Sequence, residues 1–216
     1  NIGTALKGEI VINEGVTTIG ASAFKNCNNI EKLDLSNFKT NSALYMQGMF
    51  KNCENLNAVV IISPKAAGTG GSRLGLKKND QVTLNDLLYG LMLVSGNDAA
   101  VSIAEFVGGS VEGFADLMNN KAQELGLENT HFVTPHGLDD PEHYTTAFEL
   151  AKLADYALNN ETFSKIVGTK ECTIHINNNY KNLRNTNELL GYLNGVNGVK
   201  TGFTNNARKM SGYIYK

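Results

Sequence analysis

The chain has 216 residues, of which 42% are hydrophobic and 19% charged, and its formal net charge is −2. This composition excludes a disordered chain and a strongly basic nucleic-acid-binding protein. No apolar run approaches the ~20 residues of a membrane-spanning helix, so we expect a peripheral membrane association at most. The three cysteines, Cys27, Cys53 and Cys172, are an odd number and do not form a disulfide framework.

The first 58 residues contain an internal repeat. The segment Ala23–Ile30 returns, 26 residues later, as Met49–Leu56. Each copy leads into a strand-like run, Ile30–Leu35 and Leu56–Ile61, and a third such run, Gly15–Gly20, precedes the first copy. This period lies within the ~20–29 residues of leucine-rich repeats, whose units stack to bury their apolar faces.

From about residue 63 the apolar pattern changes to a helical period. Thr83 is predicted to cap a first helix, and Asn97 or Asp98 a second. Two further helices and three strands complete the prediction: Val111–Leu125, Thr146–Leu158, Lys170–Ile176, Val199–Thr204 and Ser211–Tyr215. The fold class that we expect is α+β, with a helical block packed on an antiparallel sheet.

Two tripeptides in this second part carry the residue types of a serine-enzyme active site. Ser95-Gly96-Asn97 lies between two predicted helices, and Lys200-Thr201-Gly202 lies in a predicted strand. Each alone is usually a turn or a solvated strand edge. Together, in this order and about a hundred residues apart, they are typical of penicillin-recognising serine enzymes, which also need a Ser-x-x-Lys motif. We therefore expect the side chains of Ser95 and Lys200 to lie in one shared cavity, within hydrogen-bonding reach of each other or one water apart.

The flanking segments resemble D-alanyl-D-alanine carboxypeptidases of the low-molecular-mass penicillin-binding type. The resemblance covers about residues 59–207, in the segments 64–76, 84–100, 129–141, 144–148, 185–190 and 198–204. It implies an incomplete transpeptidase-like domain, related to the serine β-lactamases, over residues 59–216. Residues 1–58 resemble the leucine-rich repeats of BspA-like bacterial surface proteins.

The carboxypeptidase resemblance implies an enzyme that removes the terminal D-alanine from peptidoglycan stem peptides through an acyl-enzyme. Ser95 would relay a proton to the leaving nitrogen, and Asn97 would bind the substrate amide. β-Lactams would bind at the same place, and neither a cofactor nor a metal is implied. The protein would act outside the cytoplasmic membrane, although this sequence shows no signal peptide.

The strand motif is assigned by the same resemblance to the carboxylate end of the substrate. Lys200 would supply positive potential for the terminal carboxylate, and Thr201 a hydroxyl donor. Gly202 would allow the substrate backbone to lie close beside the strand, and the backbone N–H of Phe203 would stabilise the oxyanion.

The chain departs from the family pattern at the nucleophile. Ser-x-x-Lys occurs at Ser22–Lys25 and Ser36–Lys39, both inside the repeats, whereas the family spacing places the serine near Thr40. Ser36 with Lys39 is the nearer candidate. The residues after Thr204 are also fewer than the sheet of the family requires. The alternative function is a cell-surface leucine-rich-repeat binding protein with a non-catalytic peptidase remnant.

Two further alternatives concern the chemistry of the second part. A metal site is one alternative, since five potential ligands lie within 13 residues: His131, His136, Asp139, Asp140 and His143. The prolines among them indicate a loop instead, and the carboxypeptidase resemblance includes this segment without a metal. A class A β-lactamase shares the motifs, but no glutamate is evident that would serve its deacylation step.

Overall fold

The computed structural model describes residues 8–11, 30–34, 56–204 and 208–215. Near the N-terminus, β1 (Gly8–Val11) and β2 (Ile30–Asp34) pair in parallel. Stacked leucine-rich repeats pair the strands of successive units in this way, and β2 confirms the strand predicted from Ile30. The predicted run Gly15–Gly20, two cysteines (Cys27 and Cys53) and both Ser-x-x-Lys strings lie outside the described residues.

Residues 56–204 form an alternation of short strands and helices, and residues 208–215 add a last strand. In chain order the elements are β3 (Val59–Ile61), α1 (Pro64–Ala67), β4 (Gln81–Thr83), α2 (Leu84–Val94), α3 (Asn97–Gly108), α4 (Val111–Glu124), α5 (Ala147–Leu158), α6 (Glu161–Val167), β5 (Glu171–Ile176), β6 (Asn179–Arg184), β7 (Val196–Thr204) and β8 (Arg208–Tyr215). Within the described ranges, no helix has the length and apolarity needed to cross a bilayer.

Six of these strands form three antiparallel pairs, β3 with β4, β5 with β6 and β7 with β8. The mixture of helices and antiparallel strands confirms the α+β prediction. Strands β4 and β6 and helices α1 and α6 were not predicted. Strand β6 gave no signal because it is polar, with Leu183 as its single buried residue, and α6 has only seven residues.

Helix α3 lies at the centre of the core and contacts α1, α2, α4 and β3. Its residues 99–104 are all buried. It approaches α4 very closely, because a Cβ at Gly108 would lie 2.5 Å from the backbone nitrogen of Phe114. Helix α2 packs on the other side and contacts the strands β4, β5 and β6. The helical block and the strands therefore share one apolar core.

The start of α3 differs from the prediction that Asn97 or Asp98 caps it. The N-cap is Gly96, which makes no side-chain cap, and Asn97 and Asp98 are the first helical residues. Their side chains bind the loop 70–76 instead. The predicted cap of α2 is confirmed, because the Thr83 hydroxyl accepts the backbone N–H of Asp86.

Candidate active site

The two tripeptides border one cavity, whose volume is about 750 Å³. The junction between α2 and α3 supplies one wall and β7 supplies the opposite wall. All six residues that the sequence assigned to the site line this cavity: Ser95, Asn97, Lys200, Thr201, Gly202 and Phe203. Ser95 and Lys200 thus line the same cavity, although the two residues are distant in the chain; the reach between their side chains stays a prediction.

The connection between β6 and β7 joins the two walls. The backbone N–H of Thr186 donates to the carbonyl of Leu93 in α2, at 2.9 Å. The hydroxyls of Thr186 and Thr201 share a hydrogen bond of 2.8 Å. Thr186 also lines the cavity, but it was not among the site residues predicted from the sequence. The available signal was its place in the segment 185–190, which carries part of the family resemblance.

Ser95 occupies the C-cap of α2 in a left-handed conformation, with φ 60° and ψ 38°. The N–H groups of Ser95 and Gly96 both donate to the carbonyl of Gly90, which ends the helix at this point. A left-handed backbone is uncommon for a residue other than glycine and is found preferentially at functional positions. The abrupt end of α2 places Ser95 on the cavity wall instead of in another helical turn.

The side chain of Asn97 is oriented by the loop that precedes β4. Its Nδ2 donates to the carbonyl of Gly70 at 2.8 Å, and its backbone N–H donates to the carbonyl of Ser72 at 2.9 Å. Asn97 is buried, so the bond from Nδ2 fixes the orientation of its amide and the backbone bond fixes its position against the loop. Gly71 and Ser72 of the same loop also line the cavity.

Lys200 lies half-buried in the cavity wall. Its Nζ donates to the carbonyl of Thr201 at 2.7 Å. Burial disfavours the ammonium form and lowers the pKa of Lys200 to about 8. None of the ion pairs within residues 56–204 involves this lysine. Below pH 8 it therefore presents a positive charge that an anionic ligand can neutralise.

Strand β7 offers one edge to the cavity. Among the described strands it pairs with β8 alone, with Lys200 opposite Gly212 and Gly202 opposite Met210. A Cβ at Gly202 would have nothing within 4 Å, so open space adjoins this position. An extended peptide could therefore pair along this edge as an added strand.

The third wall is the loop between α4 and α5, which contributes His136, Gly137 and Leu138. Burial lowers the pKa of His136 and thus favours its neutral imidazole. The loop is fixed at its start by the buried carboxylate of Glu149, which accepts the backbone N–H of Asn129 at 3.0 Å and its side-chain amide at 3.2 Å. The hydroxyl of Thr130 also donates to this carboxylate. From the sequence, His136 was a potential metal ligand and was not predicted to line the cavity.

The histidines of this loop bind the loop's own backbone. Nδ1 of His143 accepts the N–H of Val133 at 3.1 Å, Nδ1 of His136 accepts the N–H of Leu138 at 3.2 Å, and Nδ1 of His131 bonds the carbonyl of Glu142. Within the described residues no group of three or more His, Cys, Asp or Glu side chains is arranged to hold a metal ion. These contacts assign the histidines to loop structure.

Two family models match the chain. The D-alanyl-D-alanine carboxypeptidase family matches residues 41–210, and the BspA-type leucine-rich repeat matches residues 4–68. The two matches overlap over 41–68. The carboxypeptidase match includes every lining residue of the cavity.

Individual relatives agree with this result. The chain is 41% identical over 166 residues to the D-alanyl-D-alanine carboxypeptidase DacF of Bacillus subtilis, over 76% of this chain and 43% of that protein. It is 38% identical to the D-alanyl-D-alanine carboxypeptidase of Streptomyces sp. strain K15, over 68% of this chain and 56% of that protein. The chain thus spans about half the length of these curated relatives, or less.

A solved structure shows the same fold. The crystal structure of the Streptomyces K15 DD-transpeptidase superposes with a TM-score of 0.70 at 35% identity, covering 75% of this chain and 68% of that one. The D-alanyl-D-alanine carboxypeptidase DacD of Francisella tularensis superposes with a TM-score of 0.63 at 30% identity. The resemblance seen in the sequence is therefore confirmed in three dimensions.

Proposed function

Because the chain belongs to the D-alanyl-D-alanine carboxypeptidase family, we propose that it removes the terminal D-alanine from peptidoglycan stem peptides through an acyl-enzyme. The observation that carries this proposal is the convergence of two motifs on one cavity. The α2–α3 junction brings a hydroxyl and an amide to this cavity, and β7 brings a cation and a second hydroxyl. This set of groups matches the two ends of a scissile peptide that terminates in a carboxylate.

The carboxylate end of the substrate is bound at β7. The ammonium of Lys200 lacks an acidic partner among the described ion pairs, and the neighbouring Thr201 hydroxyl is held by Thr186. A carboxylate that meets both groups gains one charge-assisted and one neutral hydrogen bond. The backbone of the substrate then lies along the open edge beside Gly202, and the N–H of Phe203 faces the developing oxyanion.

The junction of α2 and α3 serves the scissile bond. When the serine nucleophile attacks the penultimate carbonyl, the bond to the terminal D-alanine breaks and its nitrogen needs a proton. The lysine of the Ser-x-x-Lys motif takes the proton of the attacking hydroxyl, and Ser95 relays a proton from this pair to the leaving nitrogen. Asn97 hydrogen-bonds the amide of the substrate. Water then hydrolyses the acyl-enzyme and restores the serine. β-Lactams follow the first half of this sequence, since they too present a carboxylate beside an acyl group.

The nucleophile is assigned to a Ser-x-x-Lys string, and Ser36 with Lys39 is the nearer of the two candidates within this chain. Both residues lie outside the described part of the structure. We place the repeat segment at residues 1–58 and the peptidase domain at 59–216. The parallel pairing of β1 with β2 and the antiparallel pairing that begins at Val59 support this boundary. The substrate implies action outside the cytoplasmic membrane.

Two assays test the proposal. The full chain is incubated with an N-acetylated L-Lys-D-Ala-D-Ala tripeptide, and free D-alanine is measured enzymatically. It is also labelled with a fluorescent penicillin, and the labelled peptide is identified by mass spectrometry. We expect D-alanine release and one labelled serine. A labelled peptide that contains Ser36 would identify the nucleophile, whereas labelling of another serine would correct that assignment.

A pair of variants separates specific from nonspecific effects. Lys200→Gln should abolish D-alanine release, because it removes the cation of the carboxylate site. Lys165→Gln, at an exposed position on α6, should release D-alanine at the unchanged rate. Tripeptide that is neither bound nor cleaved, with no labelling by penicillin, would refute the proposed activity. The comparisons give no support to the alternative of an inactive remnant.

A further inference from the structure

We infer that the buried carboxylate of Asp98 is a positioning residue of the site: it fixes the loop 70–76 and thereby sets the orientation of the Asn97 amide. Asp98 directly follows the Ser95-Gly96-Asn97 motif but does not line the cavity. It therefore acts through Asn97 and not on the substrate. The inference rests on the proposed function, in which Asn97 binds the substrate amide.

The side chain of Asp98 is fully buried, and both of its carboxylate oxygens accept hydrogen bonds. Oδ1 accepts the backbone N–H groups of Leu74 at 2.7 Å and Ala99 at 3.0 Å. Oδ2 accepts those of Gly75 at 2.7 Å and Leu76 at 2.9 Å. Four N–H groups thus satisfy one carboxylate, and three of them belong to one loop. Bonds to an ionised acceptor are the strongest of protein hydrogen bonds.

The loop that Asp98 binds extends to the cavity. Its N-terminal part reaches the cavity, where Gly70 and Ser72 accept the two N–H donors of Asn97 described above. Lys181 of β6 donates to the carbonyl of Leu74 and holds the same loop from the strand side. Hydrogen bonds therefore connect the Asp98 carboxylate to the loop, and the loop to the side chain of the neighbouring Asn97.

Asp98, the loop 70–76 and Asn97 are packed with little free space between them. A Cβ at Gly96 would lie 3.1 Å from both the Asp98 carboxylate and Leu74. A Cβ at Gly71, where φ is +77°, would lie 2.6 Å from Nδ2 of Asn97. Because a packed arrangement of this kind does not deform gradually, a displaced loop would redirect the Asn97 amide.

The first test is Asp98→Asn in the full chain. The amide places its own N–H donors against the N–H groups that the carboxylate accepted, so the loop loses part of its anchor. The ligand in this and the later binding tests is the acetylated tripeptide with its terminal peptide bond replaced by one that the enzyme cannot hydrolyse. Calorimetry with this analogue gives both a dissociation constant and a stoichiometry. We expect a dissociation constant raised about tenfold at unchanged stoichiometry. Lower thermal stability with an unchanged dissociation constant would mean a merely structural role and would overturn the inference.

Asp80→Asn is the matched control for this variant. Asp80 also accepts a backbone N–H, that of Lys77 at 2.8 Å, and its other oxygen binds the side chain of Asn177. Neither it nor its partners line the cavity. We expect some loss of stability and no change in the dissociation constant.

A second pair of variants leaves Asp98 intact and disturbs Asn97 from the loop. Gly71→Ala places a methyl group against Nδ2 of Asn97, whereas Gly70→Ala meets open space within 4 Å. If Asn97 orientation controls binding, Gly71→Ala weakens tripeptide binding and Gly70→Ala does not. Equal binding by both variants contradicts the inference, even if Asp98→Asn fails to fold.

A measurement without ligand keeps the inference separate from the proposed function. In NMR spectra of the free protein, the side-chain amide resonances of Asn97 should shift in Asp98→Asn and in Gly71→Ala but not in Gly70→Ala. If the unchanged chain does not bind the tripeptide, the proposed function fails while these shifts still report on Asn97. Unshifted Asn97 resonances in both variants would refute the positioning role by themselves.

Discussion

The hydroxyls of Thr186 and Thr201 lie 2.8 Å apart and bind one another at the wall of the cavity. One belongs to the connection after β6 and the other to β7. A threonine hydroxyl has one donor and two acceptor sites. If Thr201 donates to a substrate carboxylate, its bond from Thr186 must be an accepted one, which fixes the rotation of both groups.

Thr186→Val should therefore weaken ligands that carry a terminal carboxylate. Valine has a similar shape but offers no hydrogen bond, so the Thr201 hydroxyl loses its orientation. We expect the dissociation constant of the tripeptide to rise about fivefold, equivalent to about 1 kcal/mol. Thr173→Val is the control, because Thr173 makes a side-chain hydrogen bond of 2.8 Å to Asn182 in the β5–β6 pair. Equal effects of both variants would contradict this orientation.

Lys200 should make carboxylate binding depend on pH. Its pKa of about 8 lies below the ordinary value of 10.5 because the ammonium is buried. The lysine is charged below pH 8, so affinity is constant there and falls by about tenfold per pH unit above it. Calorimetry at pH 7, 8 and 9 measures this fall. Lys200→Arg keeps its charge throughout and should remove the pH dependence; persistence of the same profile would exclude Lys200 as its source.

Glu149→Gln should loosen the loop that carries His136. Hydrogen bonding from Thr130 lowers the pKa of Glu149 below its ordinary value of 4.5. A carboxyl with a lowered pKa stabilises the folded state above its unfolded pKa, and this contribution is lost as pH falls through the folded pKa. The melting temperature of the variant should thus lie below that of the unchanged chain at pH 7, by a margin that shrinks below pH 4.5.

The control for that comparison is Glu171→Gln. Glu171 is exposed and lies 3.8 Å from Arg184, which is also exposed. Exposed ion pairs contribute little to stability. The melting temperature of Glu171→Gln should therefore hardly differ from that of the unchanged chain, both at pH 7 and below pH 4.5. A margin for Glu149→Gln that stays constant with pH would show that the carboxylate charge is not what holds the loop.

Gly108→Ala should destabilise the fold without altering the site. The added methyl would lie 2.5 Å from the backbone nitrogen of Phe114, and neither residue lines the cavity. Overpacking of this kind costs about 1–3 kcal/mol. Denaturant unfolding should show the loss, while the folded fraction should bind the tripeptide with the unchanged dissociation constant. A stability equal to that of Gly70→Ala would mean that α3 and α4 separate without strain.

The elements with strong local signals were predicted well. Helix α5 was predicted over Thr146–Leu158 and occupies Ala147–Leu158, because Thr146 caps it by accepting the N–H of Glu149. Helix α4, predicted over Val111–Leu125, occupies Val111–Glu124. In both, a capping side chain and an apolar period within a few turns carry the information.

The contacts that build the site gave weaker signals, because they join distant positions. Either Asn97 or Asp98 was predicted to cap α3, but the carboxylate of Asp98 binds N–H groups more than twenty positions earlier in the chain. Nothing local distinguishes these two uses of an aspartate near a helix start. The pairing of Thr186 with Thr201 was likewise not predicted. The meeting of the two tripeptides was predicted, because the family resemblance supplied the long-range relation.

The bond from the N–H of Thr186 to the carbonyl of Leu93 contains no side-chain atom. Most substitutions at position 93 or 186 therefore leave this hydrogen bond possible, and the two walls of the cavity stay joined. Proline at position 186 is the exception, since an imino acid has no hydrogen to donate. At this point the polypeptide backbone alone joins the two walls of the cavity, independently of the side chains at positions 93 and 186.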